Sequence, residues 1–481
     1  MTRSRRGIAL GAGFVIAAAL FARSFRGNFW EPRYNSRLFR FSRLTFPSLK
    51  NPTALQFGPD GALYIATRHG LIHRARIARA TPSGPFRASS VETLDAIHNI
   101  ENHDDHGNPV PGIRGRLVTG FTVSGTADHP VLYVSSSDPR ILSPGVDTNS
   151  GIVSRLERIG DRWIRTDLVR GLPRSRSDHA PHGVALDPVS RTLYVSVGSN
   201  TNMGMPSKEF EFLPEYPLSA AILALDLARL EGRPYDLPTP SGRLFGGLDG
   251  RNAATLLPPG APVRIYATGL RNAYDLTLTP AGIFSLDNGS NAGSGGAPSP
   301  GDPAQSISGD DGEQRPNCLF RVSRPGQFLG HANPSRWPAE QALPRSEDLG
   351  CVLASTNGLS VYSPRDGRWD GRLLAAQLDG AVMLLHLDQS SQRIVIHERM
   401  IASLPGMVVD VWAQNAAEPF PGSIWIAALD DDALYVLDPR MPEASDLRLA
   451  VERYRHQIYT VYLYGKMRAE VEITKWIGRP K

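Results

Sequence analysis

The 481-residue chain has little of several features that mark common protein classes. Residues 1–45 hold nine arginines against one acid, but the rest has 43 basic and 46 acidic residues and no basic stripe with interleaved aromatics. This balance excludes a nucleic-acid-binding surface on the body of the protein. No long segment has the apolar spacing of an amphipathic helix. The 41% hydrophobic and 21% charged residues are typical of a globular chain rather than a disordered one.

Cysteine is also scarce, because Cys318 and Cys351 are the only two in the chain. In an oxidising compartment they can pair with each other. Two cysteines in so long a chain are equally consistent with unpaired core residues. The sequence leaves both alternatives open.

The chain has one long apolar run, from residue 7 to residue 22. It is preceded by Arg3, Arg5 and Arg6 and followed by Arg23 and Arg26. A basic segment followed by a short apolar one is typical of an export signal or signal anchor. The run is shorter than the roughly 20 residues of a full membrane span. We therefore expect residues 1–30 to direct export to the periplasm, cell envelope or exterior, and to serve as a membrane tether if they are not cleaved.

What the sequence does contain is a repeated hairpin, and the stretch from Asp178 to Asn202 shows it most clearly. A polar loop with His179 and His182 leads into one short apolar strand, and a tight turn at residues 187–191 leads into a second. Similar hairpins begin near residues 55, 121, 184, 276, 359 and 409. Several of them gain a third strand.

Six such units predict an all-β fold, a six-bladed β-propeller. A small sheet cannot bury both of its faces alone, but radial stacking between two neighbours covers them. We expect the propeller to span residues 31–445, with residues 37–46 supplying the strand that closes the ring on the last unit. Residues 446–481 form a C-terminal tail, in which residues 459–464 and 468–473 alternate weakly as a hairpin. A two-domain sandwich is the structural alternative.

Long polar loops, residues 75–116 and 289–314, separate the units, and loops of this length are often functional. Asp178 next to His179 suits a general base, because a carboxylate orients an imidazole. Arg271 and Asn272 offer donors to an anion or a quinone oxygen. The loop from Asp287 onward combines the carboxylate, amide and carbonyl oxygens that Ca²⁺ takes. Each feature alone is equally consistent with a solvated loop.

Together these segments resemble one family, the soluble quinoprotein glucose/sorbosone dehydrogenases, which include the aldose sugar dehydrogenases and are six-bladed propellers. The resemblance covers roughly residues 45–440. The segments that carry it, in order, are Asn51-Pro52-Thr53-Ala54-Leu55, Gly58-Pro59-Asp60-Gly61, Asp178-His179, Gly269-Leu270-Arg271-Asn272, residues 287–291 and residues 326–333.

The resemblance implies pyrroloquinoline quinone at the mouth of the central channel, with Ca²⁺ polarising it. It implies that His179 is the catalytic base, assisted by Asp178 and Arg271, and that Arg271 and Asn272 contact the quinone. Gly289 and Ser290 match the positions whose carbonyls hold the metal, and Asp287 belongs to the same loop. The implied activity is hydride transfer from the carbinol of a sugar or alcohol to the quinone.

Three positions depart from the family pattern. Asp379 stands where a lysine is expected, and Met407 and Val409 stand where arginines are expected. The quinone carries three carboxylates, so these changes cost about 1.5–3 kcal/mol for each lost charge-assisted contact. Arg68, Arg315 or Arg365 could replace the lost cations. The alternative hypothesis is a non-catalytic propeller that binds a carbohydrate or a protein partner at the cell envelope.

Overall fold

The computed structural model describes residues 32–143, 145–230, 232–239, 257–299, 307–309, 311–352, 355–364, 369–388 and 394–440, with side chains from residue 401 onward in the last range. The predicted segment 1–30 and the predicted tail hairpin lie outside these residues. Among the described residues no helix is long and apolar enough to cross a membrane.

The described chain contains six β-sheets of four or five strands, and the four main strands of each sheet pair antiparallel with their neighbours. From the inner to the outer strand, the four main strands of each sheet are as follows: blade 1, Pro52–Phe57, Leu63–Thr67, Ile72–Ala78 and Arg87–Leu94; blade 2, Leu117–Gly125, Pro130–Ser137, Gly151–Ile159 and Arg162–Leu172; blade 3, Pro181–Asp187, Thr192–Val197, Ala221–Asp226 and Val263–Thr268; blade 4, Thr277–Thr279, Gly282–Asp287, Asn317–Val322 and Gly350–Val352; blade 5, Thr356–Val361, Arg372–Gln377, Ala381–Leu387 and Ile394–Ser403; blade 6, Val408–Ala413, Ile424–Ala428, Ala433–Pro439 and Phe39–Leu44.

Three short strands extend the outer edges of three blades. Tyr235–Asp236 pairs with blade 2, Gln327–Phe328 with blade 3 and Arg33–Tyr34 with blade 5. The helical turns in the described chain are short 3₁₀ segments, Lys208–Phe210, Leu227–Arg229, Pro334–Arg336 and Glu340–Ala342. The predicted all-β, six-bladed propeller is therefore confirmed, and all six predicted hairpins are the two inner strands of a blade.

The ring closes through the strand that the sequence assigned to this task. Phe39–Leu44 pairs antiparallel with Ala433–Pro439 along its whole length and becomes the outer strand of blade 6. Arg40 and Arg79 both donate to the carboxylate of Asp438 across this joint, at 3.0 and 2.9 Å. Closure thus ties the beginning of the described chain to its end.

Buried apolar residues fill the gaps between neighbouring blades rather than one central core. At the joint of blades 6 and 1, Trp425, Leu434 and Val436 pack against Leu55 and Phe57. Apolar alternation along each strand explains this arrangement, because a blade presents one side-chain row to each neighbour. The position of every loop therefore depends on how the blades stack.

Two carboxylates also link the inner strands of neighbouring blades. Asp410 accepts hydrogen bonds from the backbone N–H of Val411 in its own blade and from that of Leu55 in blade 1, at 2.8 and 2.7 Å. Asp275 caps Leu276 in the same way and reaches Leu359 of blade 5, at 2.7 and 3.0 Å. Burial raises the pKa of Asp275 to about 7.

The structure corrects two expectations and decides a third. The segment 75–116 is not one loop, because Arg87–Leu94 forms the outer strand of blade 1. Asn317–Val322, which the sequence analysis did not assign, is the third strand of blade 4. Cys318 and Cys351, left open above, are paired in a disulfide between this strand and Gly350–Val352.

Replacing Leu44 with alanine tests the closure. Leu44 is 2% exposed and packs in the joint between blades 6 and 1, so we expect the free energy of unfolding to fall by about 2–4 kcal/mol. Arg43→Ala is the matched control, since this adjacent side chain is 46% exposed and should cost less than about 1 kcal/mol. Urea unfolding measures both, and equal effects would contradict closure by this strand.

Candidate functional site

The predicted site residues lie at one end of the propeller. His179 precedes the inner strand of blade 3, Arg271 and Asn272 precede that of blade 4, and Gly289 and Ser290 follow the second strand of blade 4. In an antiparallel hairpin the start of the first strand and the end of the second lie at the same end. The fold therefore brings loops from blades 3 and 4 to the mouth of the channel.

His179 is buried, 2% exposed, and its ring is fixed from one side. Nδ1 lies 3.0 Å from the carbonyl oxygen of Ser199 and 3.1 Å from its hydroxyl, and that hydroxyl donates to Thr201 O at 2.6 Å. These partners assign the proton to Nδ1, because a carbonyl oxygen only accepts. Phe210 packs against the ring at 5.0 Å. Nε2 is left as the acceptor nitrogen.

Asp178 lies on the Nε2 side of this ring, with its Oδ1 3.9 Å away and its side chain 53% exposed. The sequence analysis expected this carboxylate to orient the imidazole, but Ser199 does so. Burial lowers the pKa of His179 to about 3, with the charge of Arg271 acting in the same direction and that of Asp178 against it. His179 is therefore a neutral imidazole at neutral pH.

Arg271 is buried, and its guanidinium is held by Asn202 rather than by a carboxylate. Nε donates to Asn202 O at 3.2 Å and Nη2 donates to Asn202 Oδ1 at 3.1 Å. Burial lowers the pKa of Arg271, while the nearby carboxylate of Asp178 opposes this. Because the hydrogen bonds of this guanidinium within the described residues go to neutral oxygens, its charge is available to a negative ligand.

Asn202 joins this arginine to the predicted metal loop. Its Nδ2 donates to the carbonyls of Asn291 and Gly295, each at 2.9 Å, and its Oδ1 accepts from the N–H of Asn291 at 2.9 Å. The loop after the second strand of blade 3 and the loop after the second strand of blade 4 thus form one hydrogen-bonded unit.

Asp287 holds the backbone of the Arg271-Asn272 pair. Its Oδ2 accepts from the N–H of Arg271 at 2.9 Å and its Oδ1 from that of Asn272 at 2.7 Å. Burial raises the pKa of Asp287, and these two hydrogen bonds oppose that shift. Whether Asp287 is also a metal ligand stays a prediction. In the structure its carboxylate holds the backbone of Arg271 and Asn272 in position.

The side-chain oxygen of Asn272 is buried and has no partner at hydrogen-bond distance within the described part of the chain, although the Asn272 side chain lies close enough to His182 to raise the pKa of that ring. It lies beside the candidate base, because a Cβ atom added at Gly198 would stand 2.9 Å from Asn272 Oδ1 and 2.8 Å from His179 Cβ. A buried oxygen without a hydrogen-bond donor is unfavourable, so Asn272 Oδ1 next to the imidazole indicates a position where an N–H or O–H group of a ligand would bind.

Gly289 and Ser290 lie in a crowded turn that is rich in carbonyl oxygens. The N–H of Gly289 donates to Asn317 Oδ1 at 2.8 Å, and Ser290 O accepts from the N–H of Arg315 at 3.0 Å. A Cβ at Gly289 would stand 2.2 Å from Arg315 O and 2.4 Å from Pro316 O. Only glycine fits this approach, and the oxygen donors are of the type that Ca²⁺ prefers.

Blades 5 and 6 bring different chemistry to the same end of the propeller. Val409 is 3% exposed and packs in the apolar cluster with Leu378 and Leu429. Met407 is partly exposed and Asp379 is exposed. The structure thus offers no cation at these three positions.

Of the three arginines suggested as replacements for the lost cations, two lie in the described part of the chain. Arg68 follows the second strand of blade 1 at the same end of the propeller and is partly exposed, and Arg315 is exposed beside the Gly289 turn. Arg365 lies outside the described residues.

Ser199 and Asn202 were not singled out as site residues from sequence. Both lie at the end of the stretch from Asp178 to Asn202, where the second strand of the hairpin reaches the mouth.

No family model matches the chain, and no curated protein sequence matches it either. Among solved structures, the calcium structure of a Trichoderma reesei protein of Carbohydrate-Active Enzymes Family AA12 has a TM-score of 0.51 at 11% identity, covering 86% of this chain and 100% of that one. The likeness shows the propeller fold.

Two further structures are similar over comparable lengths. A provisionally assigned oxidoreductase (glucose dehydrogenase) from Thermus thermophilus has a TM-score of 0.48 at 18% identity, covering 83% of this chain and 99% of that one. The holo form of the pyranose dehydrogenase PQQ domain from Coprinopsis cinerea has a TM-score of 0.49 at 12% identity, covering 85% of this chain and 98% of that one.

The neutral buried histidines predict a dependence of stability on pH. Burial lowers the pKa of His182 to about 4 from 6.5, so the unfolded chain binds more protons below pH 6.5 and stability falls as the pH falls towards 4. Replacing His182 with glutamine should shrink the difference in unfolding free energy between pH 7 and pH 5 by about 2 kcal/mol. The exposed His129→Gln is the control in urea unfolding, and an unchanged pH difference in H182Q would refute the assignment.

Proposed function

We propose that this propeller is a quinone-dependent oxidoreductase that acts on the carbinol of a sugar or alcohol, with pyrroloquinoline quinone and Ca²⁺ bound at the mouth. The observation that supports it is His179, a neutral imidazole whose Nδ1 is fixed by Ser199 and whose Nε2 remains an acceptor. A general base requires this tautomer and a fixed orientation.

The blade 3 and blade 4 side of the mouth suits a quinone. The Asn272 Oδ1 near His179 can accept a hydrogen bond from a ring N–H of such a group. The guanidinium of Arg271, whose hydrogen bonds within the described residues go to Asn202, offers a cation to the carboxylates of the group, with the Asp178 carboxylate nearby. When bound, the quinone would supply the acceptor for the substrate hydride. The carbonyls of Gly289 and Ser290 would hold the metal.

His179 would take the hydroxyl proton of the substrate at Nε2 as the carbonyl forms. The half-exposed Asp178 carboxylate, 3.9 Å from Nε2, would stabilise the imidazolium and give the proton a route to solvent. Arg271 lies close enough to lower the pKa of His179, so its charge also favours negative charge developing on the substrate oxygen.

The residues that blades 5 and 6 bring to the mouth favour a second candidate function. Leu378, Met407 and Leu429 give blades 5 and 6 an apolar surface, and Asp379 adds negative charge beside it. Such a surface does not suit a tricarboxylate. It supports a propeller that binds a carbohydrate or a protein partner without catalysis.

We also propose that the protein works outside the cytoplasm, tethered or released according to whether residues 1–30 are removed. The disulfide between Cys318 and Cys351 supports this, because such bonds are typical of oxidising compartments.

Calorimetric titration of the full chain with pyrroloquinoline quinone, with and without Ca²⁺, separates the two functions. The oxidoreductase proposal expects micromolar or tighter binding that requires Ca²⁺. Met407→Arg is the matched variant, since an added cation at this partly exposed position should tighten quinone binding about tenfold or more. Absence of binding at high micromolar quinone would leave the binding propeller.

Replacing His179 with alanine tests the base. We expect the reduction of a dye electron acceptor by the quinone-loaded enzyme with its best sugar or alcohol to fall by roughly 10²–10⁴ in kcat. Quinone affinity should change little. The exposed His129→Ala is the control, and a kcat in H179A within threefold of the unmodified enzyme would rule out this role.

A further inference from the structure

Three potential metal ligands meet at the outer edge of blade 4, one strand outward from Asp287 at the mouth. The Sγ atoms of Cys318 and Cys351 and a carboxylate oxygen of Asp348 all lie within 4.8 Å of one another. Cys318 is buried, whereas Cys351 and Asp348 are partly exposed. With the disulfide formed, the sulfurs are not thiolates and bind no cation in this way.

The sheet holds both sulfurs in place even without the bond between them. Cys318 lies directly opposite Cys351 in the antiparallel pair, flanked by the pairs Asn317 with Val352 and Leu319 with Gly350. Two sulfurs bound at about 2.3 Å to a tetrahedral ion lie roughly 3.8 Å apart. Directly opposite side chains reach this separation without movement of the strands.

We propose that the reduced chain binds a soft divalent cation of the Zn²⁺ type through the two thiolates and the Asp348 carboxylate. A dithiol reductant transfers two electrons and two protons to the disulfide and itself becomes a disulfide, and the two thiols then release their protons to solvent as the cation binds. The exposed side of the three ligands leaves the fourth position to water. This site does not depend on the proposed oxidoreductase activity, and in the oxidising compartment proposed above it forms only while the disulfide is reduced.

The site is mechanically linked to the mouth through the strand Asn317–Val322. Asp287, which holds the backbone of Arg271 and Asn272, is the register partner of Cys318 in the adjacent strand. Asn317 is next to Cys318 in sequence and accepts the N–H of Gly289. A cation would therefore secure in the reduced chain the same edge that the disulfide secures in the oxidised chain.

Titration of the full chain with Co²⁺ and Cd²⁺ tests the site. One sample stays oxidised, and another is reduced with a phosphine, desalted without oxygen and shown by thiol titration to carry two free thiols per chain. The reduced sample should bind one Co²⁺ with a thiolate-to-metal absorption band, and one Cd²⁺ should raise its Tm by roughly 3 °C at saturating metal. The oxidised sample should show neither effect.

Two variants separate a built site from thiols that bind metal nonspecifically. Asp348→Asn keeps both thiols and should weaken Cd²⁺ binding at least tenfold, while Asp161→Asn, a fully exposed carboxylate on blade 2, should change nothing. Cys351→Ser should abolish the absorption band. The proposal is overturned if the reduced chain binds no metal, if D348N binds as tightly as the unmodified chain, or if reduction alone unfolds the protein.

Discussion

The structure depends on the stacking of six sheets in a ring that closes through backbone pairing of Phe39–Leu44 with Ala433–Pro439. No blade can bury its own two faces, so each apolar row is covered only when both neighbours are in place. Asp410 and Asp275 add a polar link at the inner strands, where one carboxylate satisfies N–H groups of two adjacent blades. The geometry of the mouth follows from this stacking, since each blade contributes its loops at an angle set by its neighbours.

Buried polar contacts then fix the loops of blades 3 and 4 relative to each other. Glu215 accepts from Thr201 and lies 2.9 Å from His331 Nε2, all three buried behind the mouth. This network anchors the segment that carries Ser199 and Asn202, which in turn hold His179 and Arg271. Unpaired polar groups are costly inside a protein, so a network satisfied to this extent supports a fixed arrangement of base and cation.

The mouth is chemically divided. Blades 3 and 4 contribute a neutral histidine, a buried guanidinium and convergent carbonyl oxygens, whereas blades 5 and 6 contribute aliphatic side chains and Asp379. The two sets of loops therefore differ in charge and polarity although they lie on one scaffold.

The sequence by itself determined the two inner strands of each of the six blades and the closing segment, because apolar alternation and turn residues act locally. It also indicated His179, Arg271 and Asn272 as neighbours of strand starts. Only the tertiary structure decided that Ser199 rather than Asp178 fixes the imidazole, that Asn202 holds Arg271, and that Cys318 faces Cys351. The strand Asn317–Val322 was missed because it follows a long polar loop. These contacts join residues far apart in sequence, and their geometry depends on how neighbouring sheets pack, which no local pattern records.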